Sequence, residues 1–204
     1  MKTILDQPPR SKALLVLAHG AGAGMRHPAM QALCGALHAE GIATLRYEFA
    51  YMEQGKKRPD PPAVAVARVA EAVEFAHRKF PKMELFAGGR SFGGRMTTTA
   101  ASQGKIAVRG IICFSFPLHP AKKPSTDRAA HLKDVEIPQL WIQGSRDELA
   151  DLKLTRKVTK AHGIALEVIP GADHGYHVLK SLGVSAAQVL EKVARAARQF
   201  IDGH

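Results

Sequence analysis

The most chemically specific segment of the sequence is a serine between closely spaced glycines. Residues 89–93 read Gly-Arg-Ser-Phe-Gly, with Ser91 at the centre. The segment follows a short apolar run and precedes a helix-forming stretch, which predicts a sharp strand-to-helix turn. Such a turn exposes the hydroxyl, and glycines on either side avoid collisions with the neighbouring strand and helix. The pattern therefore predicts a serine nucleophile at residue 91.

A serine hydroxyl becomes reactive when a base removes its proton and an acid orients that base. His174 and Asp147 each come shortly after a predicted strand. In this arrangement His174 takes the proton from Ser91, while Asp147 fixes the imidazole tautomer and stabilises its charged form. Neighbouring residues offer alternatives for the two partner positions, namely Asp173, Glu148, Asp151 and His177.

The glycine-rich segment after the first predicted strand has two interpretations. Residues 19–24 read His-Gly-Ala-Gly-Ala-Gly. A dinucleotide-binding loop needs a glycine where Met25 stands and an acid after the next strand, and this pattern is not met. The other interpretation is an oxyanion hole, in which this loop and Phe92 each supply a backbone N–H to a negatively charged substrate oxygen. We expect Ala21 to be the donor in the loop, with Gly22 as the alternative.

The sequence indicates neither a metal nor an organic cofactor. His174 and His177 have the spacing of half a metal site, but no nearby cysteine or acid completes it at the usual spacing. Two cysteines, Cys34 and Cys113, do not make a disulfide framework. Free thiols are typical of a reducing compartment, so the expected location is the cytoplasm.

Apolar runs alternate with helical patterns along the whole chain. Six strands are predicted, at residues 13–18, 42–49, 83–87, 108–114, 139–143 and 165–169. Helices are predicted at residues 27–40, 60–80, 95–102, 150–162 and 185–201. This alternation predicts parallel strands joined by right-handed crossovers, in one α/β domain over residues 1–204 with three layers, α/β/α. The carboxyl ends of the strands would bring the candidate residues to one edge of the sheet.

Composition and charge exclude several classes of protein. The chain has 204 residues, 46% of them hydrophobic, and a net charge of +11. Basic residues exceed acidic ones in every third of the chain, whereas a nucleic-acid reader concentrates its charge on one face, so nucleic acid is not an expected partner. No apolar run approaches the roughly 20 residues of a membrane span. The opening MKTILDQPPR lacks the apolar stretch of a signal peptide.

Together the motifs resemble the α/β-hydrolase superfamily, in which the three reactive residues follow in the order Ser, acid, His. The segments that carry this resemblance are HGAGAG, GGRSFGGRM, GSRDE and ADHGYH. Two more, LRYEFAYM and FPLHP, resemble a compact branch of the superfamily. That branch includes bacterial predicted hydrolases, a testis-expressed animal protein and the hydrolase-like domain of a chromatin acetyltransferase-complex subunit. The resemblance covers roughly residues 13–180.

The resemblance implies a minimal sheet of about six mostly parallel strands that lacks the two leading strands of larger relatives. Residues 115–133 are only a loop, so no large lid is expected. The implied activity is that of a serine hydrolase, which cleaves a carboxylic ester or thioester of a small molecule through an acyl-enzyme. Judged from the residues themselves, Arg90, Arg46 and the loop lysines would bias the pocket toward anionic acyl groups, although Arg90 could equally point into solvent or pair with a surface acid. The alternative is a catalytically silent scaffold that uses the hydrolase fold to bind proteins, as some members of the branch do.

Overall fold

A central seven-stranded sheet organises the computed structural model, which describes all of residues 1–204. The strands are β1 (Thr3–Asp6), β2 (Ala13–Ala18), β3 (Ala43–Tyr47), β4 (Glu84–Arg90), β5 (Ile111–Phe114), β6 (Gln139–Gly144) and β7 (Ala165–Ile169). Their order across the sheet is β1-β3-β2-β4-β5-β6-β7. β1 runs antiparallel to β3, and every other neighbouring pair is parallel. The predicted α/β fold is confirmed.

The sheet has one strand more than the six that the sequence indicates, because β1 precedes them. β1 has four residues, and its burial does not alternate, so it carries no period-2 signal. It is held to the sheet edge by pairing with β3, in which Ile4 lies opposite Arg46. Arg46 Nη2 also donates to Asp6 Oδ2 at 2.7 Å. One of the two leading strands that the resemblance described as missing is therefore present.

Six helices cover the two faces of the sheet. They are α1 (Pro28–Ala39), α2 (Ala50–Glu53), α3 (Pro62–Lys79), α4 (Phe92–Ser102), α5 (Leu152–Ala161) and α6 (Ala186–Asp202). Helix α2 lies in a segment predicted as loop, and α4 begins three residues earlier than predicted. A capping box begins α6, since the Ser185 side chain accepts from the Gln188 N–H and the Gln188 side chain accepts from the Ser185 N–H. No helix has both the length and the apolar character that a membrane crossing requires.

Alternate residues of the central strand β2 point into two separate cores. Leu14 and Val16 belong to the core on the side of α3 and α4, while Leu15 and Leu17 belong to the core on the side of α1 and α6. All six residues of β2 are buried, as expected for a parallel strand covered on both faces. The three-layer prediction is confirmed. The region after β5 holds only a 3₁₀ helix, Asp127–Asp134, where a lid would stand.

Candidate active site

Ser91 lies at the turn between β4 and α4 in a strained backbone conformation. Its φ is +51° and its ψ is −117°, a region that non-glycine residues rarely adopt. Such strain persists where the surroundings enforce it. Here the Ser91 N–H donates to the Phe114 carbonyl at 2.9 Å, and the Arg95 N–H donates to the Ser91 carbonyl at 3.1 Å. The turn is therefore fixed from both sides.

The glycines of the motif allow close backbone packing around the turn. A Cβ at Gly89 would lie 2.6 Å from the carbonyl carbon of Gly93. A Cβ at Gly93 would lie 2.6 Å from the carbonyl oxygen of His19. Neither contact involves a flexible side chain that could move aside. Both positions consequently require glycine, as the sequence pattern predicted.

The structure brings Ser91, His174 and Asp147 together at the carboxyl edge of the sheet. His174 Nε2 lies 2.8 Å from Ser91 Oγ. On the other side of the ring, His174 Nδ1 lies 2.7 Å from Asp147 Oδ2. The Asp147 side chain is fully buried, whereas that of His174 is 26% exposed. An ionised carboxylate only accepts hydrogen bonds, so Nδ1–H donates to Asp147 and Nε2 is free to accept the serine proton.

Asp147 is itself held by two donors that the sequence analysis did not single out. Its Oδ1 accepts the Leu149 N–H at 2.8 Å. Its Oδ2 accepts the side-chain amide of Gln143, a fully buried residue near the end of β6. A polar residue in the otherwise apolar run after Leu140 is the only sequence signal for this contact. The carboxylate thus faces the imidazole in one fixed orientation.

The alternative partner residues have other positions. Asp173 Oδ1 accepts the N–H groups of Gly175 and His177 at 2.7 and 2.9 Å. Partial burial by itself would raise the pKa of Asp173, but these hydrogen bonds outweigh it and lower the pKa below its usual value. The His177 side chain is 80% exposed. Asp151 caps α5 through the Leu154 N–H at 2.9 Å, and Glu148 is exposed. None of the four forms a hydrogen bond with Ser91.

A cavity of about 230 Å³ opens above Ser91 and His174. Gly20 and Ala21 form part of its wall, and Gly22 does not. The Phe92 N–H is the first of α4 and so has no partner inside the helix. The Ala21 N–H makes no hydrogen bond within the chain. Both expected donors are thus unpaired.

His19 holds the glycine-rich loop in place, a role that the sequence analysis did not assign. Its Nε2 accepts the Phe49 N–H at 3.1 Å, so Nδ1 carries the proton and donates to the Gly20 carbonyl at 2.8 Å. Burial lowers the pKa of His19, which keeps the ring neutral. The Phe49 ring lies 4.9 Å from the imidazole and 5.3 Å from the Phe92 ring. The glycine-rich loop and the turn that carries Ser91 therefore pack against each other through Phe49.

The two arginines expected near the acyl group have different positions. Arg90 lines the cavity above Ser91, where its Nη2 lies 3.5 Å from the carbonyl oxygen of His174. Arg46 is buried and donates to Asp6 and to the Met25 carbonyl. The expectation for Arg46 is wrong, because β1, which the sequence did not indicate, supplies its acidic partner.

Several solved structures share this fold at low sequence identity. A dienelactone hydrolase from Anabaena variabilis is 18% identical, with a TM-score of 0.74 over 99% of this chain and 91% of its own. Est1E from Butyrivibrio proteoclasticus, solved with ferulic acid bound, is 19% identical, with a TM-score of 0.74 over 98% and 93%. A serine hydrolase without a lid from Xanthomonas campestris is 21% identical, with a TM-score of 0.71 over 95% and 87%.

The family comparison covers almost the whole chain. The model of the alpha/beta hydrolase domain matches residues 11–202, from the residues before β2 to the end of α6. The match includes the turn that carries Ser91, the glycine-rich loop and the segments that carry Asp147 and His174. The chain therefore belongs to the alpha/beta hydrolase domain family.

Proposed function

We propose that the protein is a serine hydrolase that cleaves a carboxylic ester or thioester of a small acyl substrate. The proposal depends above all on the 2.8 Å approach of His174 Nε2 to Ser91 Oγ, with Asp147 on the other ring nitrogen. A hydroxyl, an imidazole and a buried carboxylate in this order are the groups that acyl transfer needs. The solved relatives named for dienelactone hydrolysis and for bound ferulic acid support ester chemistry.

In the first half of the reaction, Ser91 Oγ attacks the acyl carbon and His174 Nε2 takes the hydroxyl proton. The carbonyl oxygen becomes an oxyanion, which accepts hydrogen bonds from the N–H groups of Ala21 and Phe92. The tetrahedral intermediate then collapses. The bond from carbon to the leaving oxygen or sulfur breaks, and His174 gives its proton to the departing alcohol or thiol.

In the second half, water replaces the leaving group. His174 Nε2 removes a proton from the water as its oxygen attacks the acyl carbon bound to Ser91. The second tetrahedral intermediate releases the carboxylic acid, and Ser91 Oγ regains the proton from His174. Asp147 stays ionised throughout and stabilises the imidazolium twice in each cycle. No step requires a metal or a cofactor.

We also propose that the protein belongs to the compact branch of the family that the sequence analysis indicated. Support for this comes from the segments LRYEFAYM and FPLHP, which lie outside the triad motifs. Some members of that branch bind other proteins instead of acting as enzymes. Catalysis by this protein therefore has to be tested directly.

A fluorophosphonate probe tests the proposal, since it reacts covalently with activated serines. We expect the wild type to be labelled and to hydrolyse p-nitrophenyl acetate, and Ser91→Ala to do neither. Ser102→Ala is the matched control, because this serine lies in α4 and its hydroxyl donates a hydrogen bond only to the Thr99 carbonyl. A folded wild-type protein that resists the probe and cleaves no ester would favour the silent scaffold.

A further inference from the structure

A second cavity, of about 150 Å³, lies beside the one above Ser91. It opens to the surface between α1, α6 and the loop that follows His174. Most of its wall is apolar and comes from Ala29, Ala32, Leu33, Tyr176, Ala186 and Leu190. The catalytic steps described above use none of these side chains.

The two cavities share one residue, Arg90. Gly175 and Tyr176, which line the second cavity, directly follow His174 in the chain. On α1, Met30 lines the first cavity and its neighbour Ala29 lines the second. The apolar cavity therefore borders the space in which the reacting bond must lie, and the two meet at Arg90.

The size of the second cavity limits what it can hold. An apolar protein cavity of about 150 Å³ accommodates a molecule of the size of benzene. The cavity here has the same volume and a wall made mainly of alanine and leucine side chains. It therefore fits one phenyl ring or an unbranched chain of about six carbons.

Arg90 adds a charge at the junction of the two cavities. The residue is half-buried, and the only hydrogen bond of its side chain is the long one from Nη2 to the His174 carbonyl at 3.5 Å. No carboxylate of the protein pairs with it, although Arg46 and Arg68 each form close ion pairs. A guanidinium is a planar fork of donors that matches a carboxylate, and it is always charged.

We propose that the second cavity binds a compact apolar group of the ester substrate, and that Arg90 binds a carboxylate on the same substrate. This inference rests on the proposed serine hydrolase activity and names its substrate class. The class comprises esters or thioesters that combine a short alkyl or aryl group with a free carboxylate, such as monoesters of short dicarboxylic acids.

Filling the cavity tests the apolar part. Ala32 is exposed at the rim, so Ala32→Phe can enter the cavity without disturbing the core. The ratio of kcat/KM for p-nitrophenyl hexanoate to that for p-nitrophenyl acetate should fall about tenfold, a typical discrimination for lost apolar contacts. Ala39→Phe, at an exposed position on the same helix, should keep the wild-type ratio.

A second variant and a second substrate series complete this test. Ala186→Leu fills the cavity from α6 instead of α1, so it should lower the same ratio even if Ala32→Phe disturbs the local fold. Hexyl acetate distinguishes the two ends of the ester, because its long chain is in the alcohol. A loss confined to hexanoate assigns the cavity to the acyl group, and a loss confined to hexyl acetate assigns it to the alcohol. Unchanged ratios in both variants and both series would overturn the assignment.

Removing the charge tests the role of Arg90. Mono-p-nitrophenyl glutarate and p-nitrophenyl pentanoate have the same chain length but differ by a carboxylate. Arg90→Gln should lower the preference for the glutarate about tenfold, since charge-assisted pairs are the strong ones. Arg90→Lys should restore part of the preference, and Arg195→Gln, an exposed change of equal charge on α6, should leave it unaltered. An unchanged preference in Arg90→Gln would overturn the carboxylate assignment.

Fluorophosphonate labelling of the same protein samples distinguishes a failure of the proposed substrate class from a failure of the proposed hydrolase activity. If the variants and the wild type are labelled while all ratios stay constant, the substrate class is wrong and the hydrolase proposal stands. If the wild type itself is not labelled, the hydrolase proposal fails.

Discussion

Gln143 and His174 donate hydrogen bonds to the same carboxylate oxygen, Oδ2 of Asp147. Gln143 is fully buried, and its amide has no other donor contact. The amide therefore takes part of the negative charge that would otherwise act on the imidazole alone. The arrangement makes Gln143 a positioning residue for the candidate triad.

We expect Gln143→Met to lower kcat for p-nitrophenyl acetate about tenfold, because the Asp147 carboxylate would lose a donor that fixes its orientation towards the imidazole, and a hydrogen bond to a charged group contributes about 1.5–3 kcal/mol. KM should stay unchanged, since Gln143 does not line the cavity above Ser91. Steady-state kinetics separates the two parameters.

Gln139→Met is the control for this prediction. Gln139 is also buried in β6, but its side chain accepts from Trp141 rather than donating to Asp147. This variant should lose stability without any loss of kcat. Equal losses of kcat in the two variants would show that packing, not the bond to Asp147, causes the effect.

Replacing Gly93 by alanine should destabilise the protein. The new Cβ would lie 2.6 Å from the His19 carbonyl and 2.7 Å from Ala18 Cβ, so the backbone must shift. Overpacking of this kind costs about 1–3 kcal/mol of unfolding free energy, which urea denaturation measures. Gly35→Ala in α1 is the matched control, because its Cβ would meet no atom within 4 Å. That change should instead stabilise the protein by about 0.5–1 kcal/mol, and similar losses in both variants would contradict the packing argument.

His19→Phe should lower both stability and activity. The Phe49 N–H and the Gly20 carbonyl would lose their partner, at about 1–3 kcal/mol for each buried group. Displacement of the glycine-rich loop should then lower kcat about 10²-fold, the effect of losing one oxyanion donor. Phe49→Leu keeps the N–H but loses the ring contact, so it should lower stability with a much smaller effect on kcat. Equal losses of kcat would assign the effect to aromatic packing.

The unfolding free energy should fall as the pH drops from about 6.5 to about 4. Burial, with the nearby charge of Arg95, lowers the pKa of His131 from 6.5 to about 4. The unfolded chain then binds a proton in this range that the folded chain does not, so acid favours unfolding. The His131 ring Nε2 lies 2.8 Å from Thr98 Oγ1 in the folded protein.

His131→Gln should remove part of this pH dependence, as measured by urea denaturation at pH 7 and pH 5. His38→Gln, at an exposed position on α1, should leave the dependence as it is in the wild type. Identical slopes in His131→Gln and the wild type would show that His131 does not contribute.

The sequence was sufficient for the features that depend on local pattern. Ser91, Asp147 and His174 each follow a strand of the sheet, and parallel strands bring such residues to one edge. The glycines around Ser91 are dictated by contacts that any strand-to-helix elbow of this kind makes. For these reasons the fold class and the meeting of the three side chains could be anticipated.

Long-range contacts could not be anticipated in the same way. β1 forms because it pairs with β3, and its own sequence has no alternation of apolar residues that would predict a strand. Asp6, the acidic partner of Arg46, lies in β1, so this ion pair could not be predicted either. The roles of His19 and Gln143 depend on which backbone or carboxylate group lies opposite each side chain. Sequence spacing does not encode these contacts, because they form only when separate loops pack together.

Mass spectrometry of the fluorophosphonate-labelled protein tests whether Ser91, His174 and Asp147 act together. After proteolysis, we expect a single adduct, on the peptide that contains Ser91, at a rate that Asp147→Asn and His174→Ala each reduce strongly. An adduct on another serine, such as the buried Ser115, or labelling of Ser91 at the same rate in both variants, would contradict the claim that these three residues act together.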